Sequence, residues 1–226
     1  MQRLGLILIL TVMCGFSAGN GNSPVIFAAE TRNTAAAAAS VPDARRVIVC
    51  FGDSLTAGYG VDPGLSYPAN LQRTLDAKGY KYRVVNMGVS GETTKDGLSR
   101  VAHIVSLKPE IVVVEFGGND GLRGLPIGDT QRNLDAIVDA LKKSGTRVAM
   151  AGITLPPDYG PDYVGRFNGM YPAIAKKYGV ALLPYIYKDV YGLKGYIQDD
   201  GIHATAIGNR QVAKNIEGLI APMLRK

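Results

Sequence analysis

A serine attacks an acyl group only when three further things are in place. A base must take its hydroxyl proton, another group must orient that base, and N–H donors must face the oxygen that becomes charged. In this chain Ser54 closes Gly52-Asp53-Ser54, directly after the apolar run Val47 to Phe51. The choice of base is narrow, because there are only two histidines. His103 falls mid-helix between Ala102 and Ile104, where an ordinary helix residue is expected. His203 ends Asp199-Asp200-Gly201-Ile202-His203, a polar turn ahead of the last helical segment. Asp200 precedes it by three positions. In a tight turn that spacing lets the short carboxylate reach the near imidazole nitrogen and fix the tautomer, leaving the far nitrogen for a serine. A helix-capping role for Asp200 is compatible with this, since a cap also fixes geometry.

Gly91 and Asn119 are the candidate oxyanion donors beside the Ser54 amide. Without a side chain, the Gly91 backbone N–H can approach a ligand closely. Asn119 offers an amide N–H₂ just past an apolar strand. Taken singly, Ser90-Gly91-Glu92 and Gly118-Asn119-Asp120 could be plain turns. Taken with Ser54, each of the first three strand segments is followed by one such residue.

Positioning these groups is the task of the remaining pattern. β-Branched and aromatic residues make Val47 to Phe51 a strand, and Tyr82 to Asn86 a second. Ile111 to Phe116 is the strongest strand signal, followed by Arg147 to Ile153 and Val180 to Leu183. Between them lie helical stretches at Pro68 to Lys78 and from Thr93 or Thr94 to about Leu107. Another opens at Asp129 or Thr130 and ends near Gly145, and a fourth covers Tyr163 to Tyr178, with Pro172 as a potential kink. Residues 185–200 read as irregular and 205–224 as a closing helix. Alternating strands and helices predict an α/β fold with a five-stranded parallel sheet covered on both faces, and ligands at its carboxyl edge.

With these blocks in hand, the chain resembles the SGNH/GDSL hydrolases. The resemblance rests on Ser54 in Phe51-Gly52-Asp53-Ser54-Leu55, Gly91 in Val89-Ser90-Gly91-Glu92-Thr93, Asn119 in Gly117-Gly118-Asn119-Asp120, and Asp200 with His203 in Asp200-Gly201-Ile202-His203. It spans residues 46–222, in order and spacing. It is nearest the branch of secreted thioesterase I/lysophospholipase and arylesterase enzymes, through Gly117 to Gly124 and Leu155 to Gly160. The resemblance implies a flavodoxin-like three-layer α/β/α sandwich, no cofactor, and a loop after the fourth strand that shapes the acyl site. Leu122, Leu155, Tyr159 and Tyr163 are the candidate substrate-binding residues. Ala204 departs from the proline that the family commonly has there, which puts the stiffness of the histidine turn in question.

The expected activity is therefore a serine esterase acting on small acyl esters or thioesters. Ser54, Asp200 and His203 are its catalytic residues, with Ser54, Gly91 and Asn119 as its oxyanion hole. The rival is a non-catalytic binding domain for an acylated glycan or lipid on the same fold. That reading predicts loss of one of these residues, and none is lost. No G-x-G-x-x-G or G-x-x-x-x-G-K-[ST] follows a strand, and no ligand-spaced cluster accompanies either histidine, so nucleotide and metal sites are not expected.

Residues 1–29 have the basic start, apolar run and small residues of an export signal, so a periplasmic or secreted location is expected. Cys14-Gly15 raises a lipid-anchored alternative, which Met13 fits poorly. Gly15 to Gly19 matches G-x-S-x-G outside any strand–turn–helix context, a coincidence of composition. Residues 30–42 read as an Ala-rich linker, and 43–226 as the hydrolase domain. Arg3, Arg32 and Glu30 precede that domain, leaving it 23 basic and 18 acidic side chains, a net +5. Those charges are interspersed, so nucleic acid is not an expected partner; a weak pull toward a membrane surface remains, and a monomer is expected. Cys50 is the domain's one cysteine, so it holds no internal disulfide.

Overall fold

Four consecutive β-branched residues, Ile111 to Val114, mark the middle of the sheet. They lie in β3 (Ile111–Glu115), a strand buried along its whole length. Burying each of these side chains contributes roughly 1.5–3 kcal/mol, which outweighs any local preference in so short a segment. A computed structural model describes residues 43–226. The expected export signal, Cys14, the G-x-S-x-G coincidence and the linker lie outside the described residues.

Around β3 the sheet adds β1 (Arg46–Gly52), β2 (Tyr82–Gly88), β4 (Arg147–Ala151) and β5 (Ala181–Leu183). Among the described residues it has five strands in the order β2-β1-β3-β4-β5, and every pairing is parallel. The chain steps from β1 to one side and then crosses back to the other, so the direction of winding switches between β1 and β3. Open α/β sheets form a crevice at such a point. Register matters more here than topology. Gly52 pairs with Gly88 on one side and with Glu115 on the other, so the three strands end level. The residues that follow each strand emerge at one edge.

Helices cover both faces. On one, α2 (Tyr67–Ala77) packs against α7 (Ala206–Ile220); on the other, α3 (Thr94–Ser106) packs on α5 (Ile127–Lys143), and α5 on α6 (Pro161–Tyr178). Leu134, Ile137, Val138 and Leu141 form the buried stripe of α5, at the spacing one helical face requires. α3 starts with a capping box, in which the Thr93 hydroxyl and the Asp96 carboxylate satisfy each other's backbone amides. Pro172 lies inside α6, which is continuous to Tyr178.

Some boundaries differ from those expected. α5 opens at Ile127, ahead of Asp129 and Thr130. Thr130 is buried and directs its hydroxyl at Asp120 Oδ1, 3.3 Å away, so it joins two elements rather than capping one. The closing helix stops at Ile220, where Pro222 turns the chain into a short 3₁₀ segment, Ala221–Met223. Two short helices also follow strands directly: α1 (Ser54–Ala57) and α4 (Gly118–Leu122).

Candidate active site

Gly52 ends β1 against a crowded floor. A Cβ there would lie 2.5 Å from the carbonyl oxygen and the carboxylate of Glu115, and would overlap the Thr56 hydroxyl. The next residue, Asp53, is the N-cap of α1 and accepts from the Leu55 amide at 3.0 Å. Ser54 is thereby the first residue of α1. The helix closes one turn later at Gly58, in the left-handed conformation that glycine adopts without strain (φ 81°, ψ 47°).

Ser54 Oγ lies 2.8 Å from His203 Nε2. On the far side of the ring, His203 Nδ1 lies 2.6 Å from Asp200 Oδ2. The other oxygen of Asp200 accepts from the amides of Ile202 and His203, at 2.9 and 3.0 Å. One carboxylate thus builds the turn and orients the base. Partial burial pushes the Asp200 pKa up. The amide and ring of His203, with the Ile202 amide, more than offset this and hold the carboxyl below its usual range. Tyr59 packs its ring on the imidazole, centroids 4.6 Å apart.

The question raised by Ala204 is answered by its backbone. Its N–H, which a proline would lack, donates to the Tyr187 hydroxyl at 3.2 Å, and the residue is buried. The turn is held by a hydrogen bond instead of a ring.

Gly91 follows β2 at φ 84°. Its carbonyl accepts from Arg123 Nη2 at 2.9 Å, and neither its own amide nor that of Ser54 donates to a protein acceptor. Asn119 sits on α4, and both hydrogens of its side-chain amide are engaged. Nδ2 donates to the Glu92 carbonyl at 2.8 Å and to Asp53 Oδ2 at 3.1 Å. Asp120 fixes α4 against α3 by accepting from the Thr94 amide and hydroxyl, at 2.9 and 2.6 Å.

Sequence reasoning missed two supports. Arg100 donates to the Met87 and Gly52 carbonyls, pairs with Glu92 and stacks on Phe51, so it braces the ends of β1 and β2. Glu115 is fully buried beneath Ser54's helix, accepts from Thr56 Oγ1 at 2.6 Å, and leaves Oε1 without a protein partner. Burial drives its pKa well above the carboxylate range, with the Asp53 charge adding to the effect.

Burial likewise pushes Asp53 up to about 7, against the pull of the Leu55 and Asn119 hydrogen bonds, and the nearby Asp120 and Glu92 charges reinforce it. This shift has a measurable consequence. An aspartate that titrates near 3.8 when unfolded and near 7 when folded makes the folded state bind more protons between those values. Stability is then expected to fall as pH rises through that window. Asp53→Asn is expected to flatten the fall in urea midpoint between pH 4 and 8. Parallel profiles for variant and parent would contradict the assignment.

A cavity of about 410 Å³ opens beside Ser54, Gly91, Asn119 and His203. That volume is within the range of small-molecule sites. Leu122 and Leu155 line it, with Ile153, Pro156 and Pro157 from the loop after β4. Tyr185, Tyr187, Tyr191 and Ile202 join from the chain after β5. Tyr159 and Tyr163 are not part of this lining. Their hydroxyls donate to the Leu122 and Leu125 carbonyls, at 3.0 and 3.3 Å, and their rings stack on each other. His103 is exposed on α3, away from the site. Cys50 is buried and burial pushes its thiol up to about 12, so it offers no nucleophile. Among the described residues no group of His, Cys, Asp and Glu could hold a metal ion.

What this geometry can do is pass the Ser54 proton to His203 and aim the freed oxygen into an apolar cavity. That is acyl transfer, and the class is the serine acylhydrolases on a doubly wound parallel sheet. More narrowly, the chain belongs to the GDSL-like Lipase/Acylhydrolase family, which matches it over residues 50–211. It is 38% identical over 182 residues to Esterase TesA of Pseudomonas aeruginosa, covering 80% of this chain and 90% of that protein. It is also 38% identical over 157 residues to Thioesterase 1/protease 1/lysophospholipase L1 of Escherichia coli, covering 69% and 74%. The crystal structure of the psychrotrophic esterase EstA from Pseudoalteromonas superposes with a TM-score of 0.75 at 28% identity, over 79% of this chain and 98% of that one. The chain is a carboxylic ester hydrolase, and the binding-domain reading is not favoured.

Proposed function

We propose that this protein hydrolyses acyl esters and thioesters through an acyl-enzyme on Ser54. The observation that carries the reading is the unbroken line from Ser54 Oγ to His203 Nε2 at 2.8 Å and from His203 Nδ1 to Asp200 Oδ2 at 2.6 Å. His203 takes the serine proton as the oxygen attacks the acyl carbon, then gives it to the departing alcohol or thiol. Water then attacks the acyl carbon as it loses a proton to the same nitrogen, and His203 returns that proton to Ser54 Oγ as the acyl–oxygen bond breaks and the acid leaves. The Ser54 and Gly91 amides face the developing charge. Asn119 joins them by releasing the longer of its two bonds, the one to Asp53.

The acyl chain takes the cavity bounded by Leu122 and Leu155, which are apolar where the chain would lie. Each methylene removed from water there contributes about 0.8 kcal/mol. From p-nitrophenyl acetate to octanoate, kcat/KM is expected to rise up to about fourfold per methylene until the cavity is full. A flat or falling profile would show that the cavity does not hold the acyl group. Labelling of Ser54 by a fluorophosphonate tests the nucleophile separately. The same reading puts the enzyme outside the cytoplasm, on the strength of the basic start and apolar run at residues 1–12, and as a monomer with light contact to membrane surfaces.

A further inference from the structure

Ser54 and His203 stand 149 positions apart in the chain, so their separation of one hydrogen bond depends on whatever ties the two segments together. One side chain outside the triad hydrogen-bonds to both segments. Gln198 lies in the irregular stretch after β5, half-buried, and its amide nitrogen donates in two directions. One hydrogen goes to the Tyr59 carbonyl at 2.8 Å and the other to the Ala204 carbonyl at 3.0 Å. Its backbone adds two more ties. The Gln198 amide donates to the His203 carbonyl at 2.8 Å, and its own carbonyl accepts from Gly201 at 3.0 Å, closing the turn that contains Asp200.

Tyr59 is the other end of the tie. It follows α1 directly, and its amide donates to the Ser54 carbonyl at 3.1 Å. Its ring packs on the His203 imidazole, tilted 42°. The fit around the Gln198 amide is close. Gly60, at φ 76°, lies where a Cβ would come 2.8 Å from Gln198 Nε2. A side chain at residue 60 would push the amide off both carbonyls.

We infer that Gln198 is a positioning residue, which clamps the Tyr59 loop to the His203 turn and thereby sets the Ser54–His203 hydrogen bond. It is not a catalytic residue, since its side chain makes no hydrogen bond to the imidazole and is not itself part of the cavity lining. The chemistry of the clamp requires an amide. Two carbonyl oxygens must each receive a hydrogen from one nitrogen, and a carboxylate in that place would repel both.

The inference rests on the acyl-enzyme reading, and the experiment separates the two. Full-length Gln198→Ala and Gln198→Glu are compared with the parent for kcat, KM and the rate of fluorophosphonate labelling, well below each protein's Tm. Misplacing a base by about 1 Å costs up to roughly 100-fold. Both variants are expected to lose roughly 10- to 100-fold in kcat and in labelling rate. KM should stay within about twofold, because Gln198 itself does not line the cavity. Tyr59→Ala should lower kcat in the same direction, and its combination with Gln198→Ala should cost less than the two single effects multiplied. It also serves as the test if Gln198→Ala does not fold. Full multiplicativity, or variants that lose Tm while keeping kcat and labelling rate within about twofold, would overturn the clamp. If the parent itself is not labelled at Ser54, the acyl-enzyme reading fails instead.

Discussion

Ser54→Ala is expected to lower kcat on p-nitrophenyl esters by on the order of 10⁶, with Tm unchanged within a few degrees. The size follows from how little else could attack. Cys50 is sealed in β1 and burial pushes its thiol up, and the carboxylates around the site are engaged by His203, by Arg100 or by backbone and hydroxyl donors. What survives in the variant is the pair of free amides, from Ser54 and Gly91, which can still stabilise charge as water attacks unaided. Such residual catalysis amounts to roughly 10³–10⁴ over water in comparable triads. His203→Ala should cost nearly as much as Ser54→Ala, and the double variant little more than either, because the two act on one proton. Purified variants assayed for burst kinetics and steady state decide the matter. A Ser54→Ala protein within about tenfold of the parent would remove Ser54 from the mechanism.

The degree to which this site was legible depended on whether a residue's neighbours in space were also its neighbours in sequence. Ser54, Gly91 and Asn119 each follow an apolar run, so strand periodicity located them. Asp200 and His203 share one turn, and their spacing alone allowed the contact that the structure shows. The shared level of the three strand ends was not legible, since the pairing of Gly52 with Gly88 and Glu115 is a matter of register. The helices α1 and α4 were missed because four or five residues carry no period. Asp53 caps α1 and also holds Asn119, 66 positions away, a contact that no spacing announces. Tyr159 and Tyr163 show the opposite limit. Their type suited an acyl groove, but carbonyls 37 and 38 positions distant turn their rings elsewhere. Gln198 had no signal of its own, because an amide that bridges two loops looks like any polar residue in a turn.

Asp200→Asn is the change expected to separate orientation from attack. Asp200 has two jobs on two oxygens: Oδ1 accepts from the Ile202 and His203 amides, and Oδ2 faces His203 Nδ1. An asparagine can keep only one of them. Two backbone donors demand an acceptor at Oδ1, so the replacement's N–H₂ must turn toward the imidazole. Nδ1 is then forced to accept, the ring proton moves to Nε2, and that N–H points at Ser54 Oγ. A base already carrying its proton cannot take another from the serine. The fold of the turn survives while the chemistry stops, and kcat is expected to fall about 10⁴-fold with KM and Tm near those of the parent. Fluorophosphonate labelling should slow in parallel, because it needs the same proton transfer. A loss of less than about tenfold in both would mean that His203 holds its tautomer without Asp200, and the carboxylate would be reduced to a builder of the turn.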